Sequence, residues 1–121
     1  KNITVYGDGR QIRNVLYVDD AVSAMVLAAQ SKASKGEVFF AVGDKHFSVA
    51  EIAEATVKHL GKGTVIYVDW PIGKKATDVG DAILSNKKIK DLLGWTQETN
   101  LESGFAQTKA YYENCLKEYL R

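Results

Sequence analysis

The stretch Ile3-Thr-Val-Tyr-Gly-Asp-Gly-Arg-Gln-Ile-Arg-Asn-Val-Leu-Tyr-Val-Asp-Asp-Ala21 decides the fold, because it encodes two extended segments, the turn between them and a helix start. Ile3 and Val5 alternate with Thr4 and Tyr6, which puts the two pairs on opposite faces of a strand. Gly7-Asp8-Gly9 then breaks that strand, since glycine reaches backbone conformations closed to other residues and aspartate bonds its own turn. Past the turn, Ile12, Asn14, Leu16 and Val18 share one face while Arg13, Val15 and Tyr17 share the other. Arg13 therefore stands beside apolar neighbours. Asp19 or Asp20 is expected to cap a helix in which Ala21, Val22, Ala24, Met25, Val26, Ala28 and Ala29 cover most of the circumference, the pattern of a buried helix.

Downstream, Val38-Phe-Phe-Ala-Val42 is a continuous apolar run closed by Gly43, which predicts a strand covered on both faces. Ser48-Val-Ala-Glu51 has the spacing of a capping box, and Val49, Ile52, Ala53, Thr56, Val57 and Leu60 recur at helical intervals until Gly61. Thr64 to Trp70 reads as a further strand, ended by Pro71. Residues 71–81 lack periodicity and predict a long loop. Ser85 is placed to cap a short helix closing at Leu92-Leu-Gly-Trp95, with Gly94 left-handed and Trp95 folded back on the last turn. Thr99-Asn-Leu-Glu102 opens a final helix striped by Leu101, Phe105, Tyr112, Cys115, Leu116 and Tyr119. Together these predict an α/β fold in one domain spanning 1–121: a strand-helix-strand core with glycine-turn strands and two C-terminal helices.

Composition limits the function. A chain of 121 residues buries roughly two thirds of its unfolded surface around one core. Its 45% hydrophobic and 26% charged residues are those of an ordinary globular domain, and no run of about eighteen apolar residues points to a membrane. A net charge of +1 supplies no basic field for nucleic acid. The single cysteine excludes an intrachain disulfide, and no basic-then-apolar leader opens the chain, so the cytoplasm is the expected compartment. The chain starts at Lys1 in strand pattern without an initiator methionine, as expected of a segment from something longer.

Among chemistry-bearing residues, Arg13 is the foremost ligand candidate. A half-buried guanidinium requires an anion, and its planar fork suits a diphosphate. From pattern alone, an ion pair with Asp8 or Glu37 is the commoner arrangement. His46 and His59 lie far apart without a further ligand at zinc spacing, and each reads as a loop polar group or a helix-end cation. Cys115 falls on an apolar stripe and reads as an inert core thiol. Capping accounts for one of Asp19 and Asp20, and solvent for the other.

The Gly7-Asp8-Gly9 turn followed by Arg13, together with Val18-Asp-Asp-Ala21, Ser48-Val-Ala-Glu51, Leu93-Gly-Trp95 and Leu101-Glu-Ser-Gly104, resembles the C-terminal half of NAD-dependent epimerases and dehydratases of nucleotide sugars. These belong to the extended short-chain dehydrogenase/reductase family. The resemblance implies a partial Rossmann-type, substrate-binding portion. In it Arg13 contacts a nucleotide diphosphate, Thr4 and Tyr6 flank the nucleobase, Phe47 faces the nucleoside, and Asp81 lies near the ribose. Tyr6 and Phe47 fit a core role equally well. Many family members carry a second diphosphate arginine three residues before that aspartate, where this sequence has Asp78. Lys74 or Lys75 is then the remaining source of a second positive charge.

The family's glycine-rich pyrophosphate loop and its Tyr-x-x-x-Lys acid/base pair have no counterpart in the sequence. The resemblance therefore implies that NAD and the catalytic pair belong to an N-terminal part outside these residues, and that this chain binds the nucleotide-diphosphate sugar without turning it over. A stand-alone binding or assembly module derived from the family is the alternative. In that alternative, apolar surface left by a missing cofactor domain, notably around Val38 to Val42, predicts a homodimer.

Overall fold

The structure, a computed structural model, describes residues 2–120. The elements run β1 (Ile3–Tyr6), β2 (Ile12–Asn14), α1 (Val18–Gln30), β3 (His46–Ser48), α2 (Val49–Leu60), β4 (Val65–Val68), α3 (Lys87–Leu93) and α4 (Leu101–Tyr119). β1 pairs in parallel with β4, Ile3 opposite Val65 and Tyr6 opposite Val68. β2 pairs antiparallel with β3, Arg13 opposite Phe47. The α/β class is as the sequence predicts, but the strand that enters α2 is β3, paired with β2, and not 38–42, while β4 after α2 pairs with β1.

The strand alternation read from β1 holds: Val5 is buried between outward-facing Thr4 and Tyr6. The glycine turn has a packing reason beyond its dihedrals. Gly9 has φ 67°, and a Cβ there would lie 2.8 Å from Val5 Cγ1 and 3.1 Å from the Ala50 nitrogen. The Gly9 carbonyl also accepts from the Ala50 N–H at 2.9 Å. The turn thus docks on the first residues of α2, and no side chain fits between them. α2 carries the full capping box, Ser48 and Glu51 each bonding the other's backbone, and ends at Gly61 in the left-handed region. α4 packs against α2, with the His59 and Phe105 rings stacked 5.6 Å apart.

A second packing centre joins α1 to α3. Ala24, Ile89 and Trp95 are buried together, with Leu16, Leu27, Phe39, Ala41 and Leu93 around them. Gly94 takes the left-handed position (φ 69°) and Trp95 folds back, as its sequence predicts, but its destination is the flank of α1. The indole Nε1 donates to Ser23 Oγ at 3.0 Å.

Three expectations are corrected. First, α1 is capped by neither aspartate: Tyr17 occupies the N-cap position without a side-chain bond. Asp20 is instead buried, its two oxygens accepting from the Glu98 and Thr99 N–H groups at 3.0 Å each. Second, α1 is not buried all round, because Val18, Val22, Met25 and Val26 face outward. Only the Ala24 side meets α3. Third, 38–42 joins no ladder among the described residues. Phe39 and Ala41 pack on the core while Val38 and Phe40 are 76% and 57% exposed, so a run that looks apolar on both sides is covered on one. At finer scale, α3 begins after Asn86, whose amide reaches the Val42 carbonyl and Asp44, while Ser85 Oγ accepts from the Lys87 N–H. Asn100, not Thr99, caps α4 by accepting from the Ser103 N–H.

Candidate functional site

The β2–β3 register sets Arg13 and Phe47 side by side on one face of the ribbon. A loop from far along the chain then crosses β2. The Ile12 N–H donates to Asp81 Oδ1 at 2.8 Å, and the Ala82 N–H donates to the Ile12 carbonyl at 3.0 Å. Gly80, at φ 66°, turns the backbone just ahead of these anchors. Arg13 is consequently enclosed. Its Nη1 donates to the Ile12 and Gly80 carbonyls at 2.8 and 2.5 Å, and its Nη2 donates to Asp78 Oδ1 at 3.0 Å.

The guanidinium therefore has an anionic partner, as its half-buried position demands, but neither of the two expected. Asp8 pairs with Arg10, and Glu37 with Lys88. Asp78 is 65 positions away, and no local pattern announces it. The side chains of Arg13 and Asp78 are 28% and 22% exposed, so this pair is far better shielded than Asp8 with Arg10. Lys74 and Lys75 are exposed, and neither ammonium forms an ion pair among the described residues.

The remaining candidates divide. Asp81 joins the Arg13 cluster, with its carboxylate used to hold β2. Thr4 and Tyr6 lie on β1, in the other sheet, and Tyr6 packs on Trp70 at 5.6 Å between ring centroids. No hydrogen bond ties either residue to Arg13 among the described residues. Phe47 lines a cavity of about 640 Å³ that opens between the β2–β3 ribbon, α2 and the start of α4, together with Tyr17, Lys45, Ile52, Asn100 and Phe105. This cavity escaped the sequence, because the facing apolar stripes of α2 and α4 were visible but the residues they leave unfilled were not.

At the cavity rim, the Lys90 ammonium and then the Asn86 amide, both hydrogen-bonded to Asp44, hold its carboxyl below the ordinary carboxylate range. Other polar groups have structural duties. His46 Nε2 accepts from the Leu84 N–H at 3.0 Å, and Cys115 Sγ donates to the Tyr111 carbonyl. No group of three or more potential metal ligands forms among the described residues.

A parallel strand pair with helices, joined to a glycine turn that presents an arginine, defines a portion of a Rossmann-type α/β fold. The chain belongs to the NAD-dependent epimerase/dehydratase branch of the extended short-chain dehydrogenase/reductase family: the family model described as GDP-mannose 4,6 dehydratase matches residues 1–108. It is 30% identical over 118 residues to the dTDP-glucose 4,6-dehydratase of Xanthomonas campestris pv. campestris, covering 91% of this chain and 33% of that protein. Among solved structures, it is similar to UDP-glucose 4-epimerase from Thermotoga maritima with UDP-glucose, at 30% identity and a TM-score of 0.78, covering 96% of this chain and 36% of the epimerase. It is also similar to dTDP-glucose 4,6-dehydratase from Bacillus anthracis in complex with NAD, at 26% identity and a TM-score of 0.80, covering 97% and 36% respectively. The chain spans about a third of the length of these relatives.

Proposed function

We propose that residues 1–121 form the C-terminal substrate-binding portion of a nucleotide-sugar epimerase or dehydratase, with Arg13 receiving the diphosphate of a nucleotide sugar. The observation that carries this is the placement of Arg13: a half-buried guanidinium on an extended strand, beside an aromatic ring and an exposed polar loop. Arginine in that setting matches a diphosphate by paired hydrogen bonds. Phe47, the cross-strand neighbour of Arg13, would supply an apolar face for a nucleoside and Asp81, which holds the loop to β2, would lie near the ribose, while Thr4 and Tyr6, on β1 in the other sheet, are assigned to the nucleobase by the family resemblance alone.

NAD is the cofactor the family implies, and these residues do not fit its pyrophosphate. Such a group is cradled where a strand passes through a glycine loop into a helix N-terminus. Where β3 runs straight into α2, the amides are already used: those of Ser48 and Glu51 donate to each other's side chains, and those of Val49 and Ala50 donate to the Gln11 and Gly9 carbonyls. β1 leads through its glycines into β2, not into a helix. The chemistry of hydride transfer therefore belongs to other parts of the enzyme, and this chain contributes substrate binding without turnover.

Arg13→Gln tests the assignment. Titrating uridine, thymidine and guanosine diphosphates by calorimetry, we expect affinity to fall about 10- to 100-fold, the loss of a charge-assisted pair of about 1.5–3 kcal/mol. An unchanged constant for a nucleotide that does bind would leave Arg13 as a structural residue.

A homodimer, covering apolar surface, accompanies this reading. The outward faces of Val18, Val22, Met25 and Val26 on α1, with Val38 and Phe40 beyond, support it. Light scattering across a hundredfold concentration range is expected to give twice the 13.3 kDa chain mass for the isolated chain. A constant monomer mass would remove the dimer. The cytoplasm remains the proposed compartment.

A further inference from the structure

We infer that Asp78 is an internal competitor for the ligand diphosphate: it holds Arg13 in the free protein, and a diphosphate binds only as it displaces the Asp78 carboxylate. This rests on the proposed role of Arg13 and adds what governs that site. Three of the guanidinium N–H groups already have partners in the free chain: the Ile12 carbonyl, the Gly80 carbonyl and Asp78 Oδ1. Two of those partners belong to the 78–82 loop, which is itself clipped to Ile12 at both ends of the contact. The charge balance follows. Arg13 brings one positive charge, Asp78 and Asp81 bring two negative ones, and a diphosphate adds about two more. An incoming diphosphate at Arg13 thus meets two carboxylates unless one leaves.

Asp78 is the one able to leave. Asp81 accepts a backbone N–H of β2 and anchors the loop, whereas the described bond of the Asp78 side chain is the one to Arg13. The flanking residues give the loop little apolar anchorage: Ile72 is fully exposed and Val79 is 79% exposed. Moving Asp78 outward therefore sacrifices mainly its own ion pair. Lys74 and Lys75, a few residues upstream and exposed, are free of carboxylate partners among the described residues and available to the displaced side chain or the phosphate. Lysine serves as a flexible point charge where an arginine fork is absent.

The test compares Asp78→Asn, Asp78→Glu, Arg13→Gln and the Asp78→Asn/Arg13→Gln pair in the natural product that contains these residues, whatever its length. Binding of uridine diphosphate, thymidine diphosphate, guanosine diphosphate and inorganic pyrophosphate is measured by calorimetry, with thermal unfolding confirming that each variant folds. Asparagine keeps an acceptor for Arg13 and removes the charge, so Asp78→Asn is expected to bind diphosphates about tenfold tighter, or about 1.4 kcal/mol. Asp78→Glu keeps the competing charge and should stay near the parent value. The double variant should lose the gain. If Asp78→Asn binds no tighter while Arg13→Gln still weakens binding, the competitor role is overturned and the diphosphate site stands. If no variant binds a diphosphate, Asp78→Asn included, the site assignment fails and the competitor role with it. A residue that merely holds the loop would give weaker binding in Asp78→Asn, which also overturns the proposal.

Discussion

Trp95→Ala is expected to cost about 3–5 kcal/mol of unfolding free energy, the range for removing a buried tryptophan side chain from a close-packed site. A domain of this size has roughly 5–15 kcal/mol in total, so the variant sits near the edge of folding at room temperature. The reason is position. Trp95 is 3% exposed and fills the space between Ala24 on α1 and Ile89 on α3, neither of which is large enough to close the void. Its Nε1 also donates to Ser23 Oγ and, at 3.3 Å, to the Asp20 carbonyl. Trp95→Phe separates the two contributions: it preserves much of the apolar volume and removes the donor, for an expected cost of about 1–2 kcal/mol. Urea unfolding followed by circular dichroism measures both. A loss below about 1 kcal/mol in Trp95→Ala would mean that α3 packs on α1 without the indole.

Trp95 also shows what the sequence makes readable. Gly94 marks the end of a helix and sends the next residue back across it, because glycine alone enters the left-handed conformation at little cost. The sequence thus says that Trp95 turns inward, but not that α1 receives it, since the contact spans 72 positions to Ser23. The same boundary separates the other successes from the failures. The Ser48/Glu51 box and Gly61 are local chemistry, and α2 runs where they put it. The alternation in Ile3–Tyr6 is local too, and β1 buries Val5 accordingly. By contrast, the run Val38–Val42 has no local mark showing whether a second layer exists to cover Val38 and Phe40, and α1 has none for Met25. Hydrophobicity records what a surface is capable of covering, not what stands opposite. At the candidate site, Arg13 was legible because a charge among apolar neighbours requires a partner. The partner's identity was not, because no local pattern shows that the loop supplying Asp78 is brought to β2 by Asp81 and Ala82, while Asp8 and Glu37 are taken by Arg10 and Lys88.

Asp20→Asn separates a helix cap from a structural anion, and a cost of about 2–3 kcal/mol is expected. Asparagine and aspartate are nearly equal as N-caps, so at a capping position this substitution is almost silent. Asp20 instead accepts with both oxygens, Oδ1 from the Glu98 N–H and Oδ2 from the Thr99 N–H, from inside a site where it is 3% exposed. An amide offers one acceptor oxygen and turns an NH₂ group toward the second N–H. One hydrogen bond to a charged acceptor is lost and a donor faces a donor, for which about 1.5–3 kcal/mol is the ordinary scale. The effect also reaches the cavity, since Gln97, Glu98, Thr99 and Asn100 form part of its wall. Asp20→Asn should therefore loosen the entry to α4, seen as faster amide exchange at Glu98 and Thr99, while the exchange of the capped first turn of α2 stays unchanged. A stability change within about 0.5 kcal/mol of the parent would return Asp20 to the role of an ordinary cap. The larger loss, confined to the 98–99 turn, would establish that one buried carboxylate on α1 sets the position at which α4 begins.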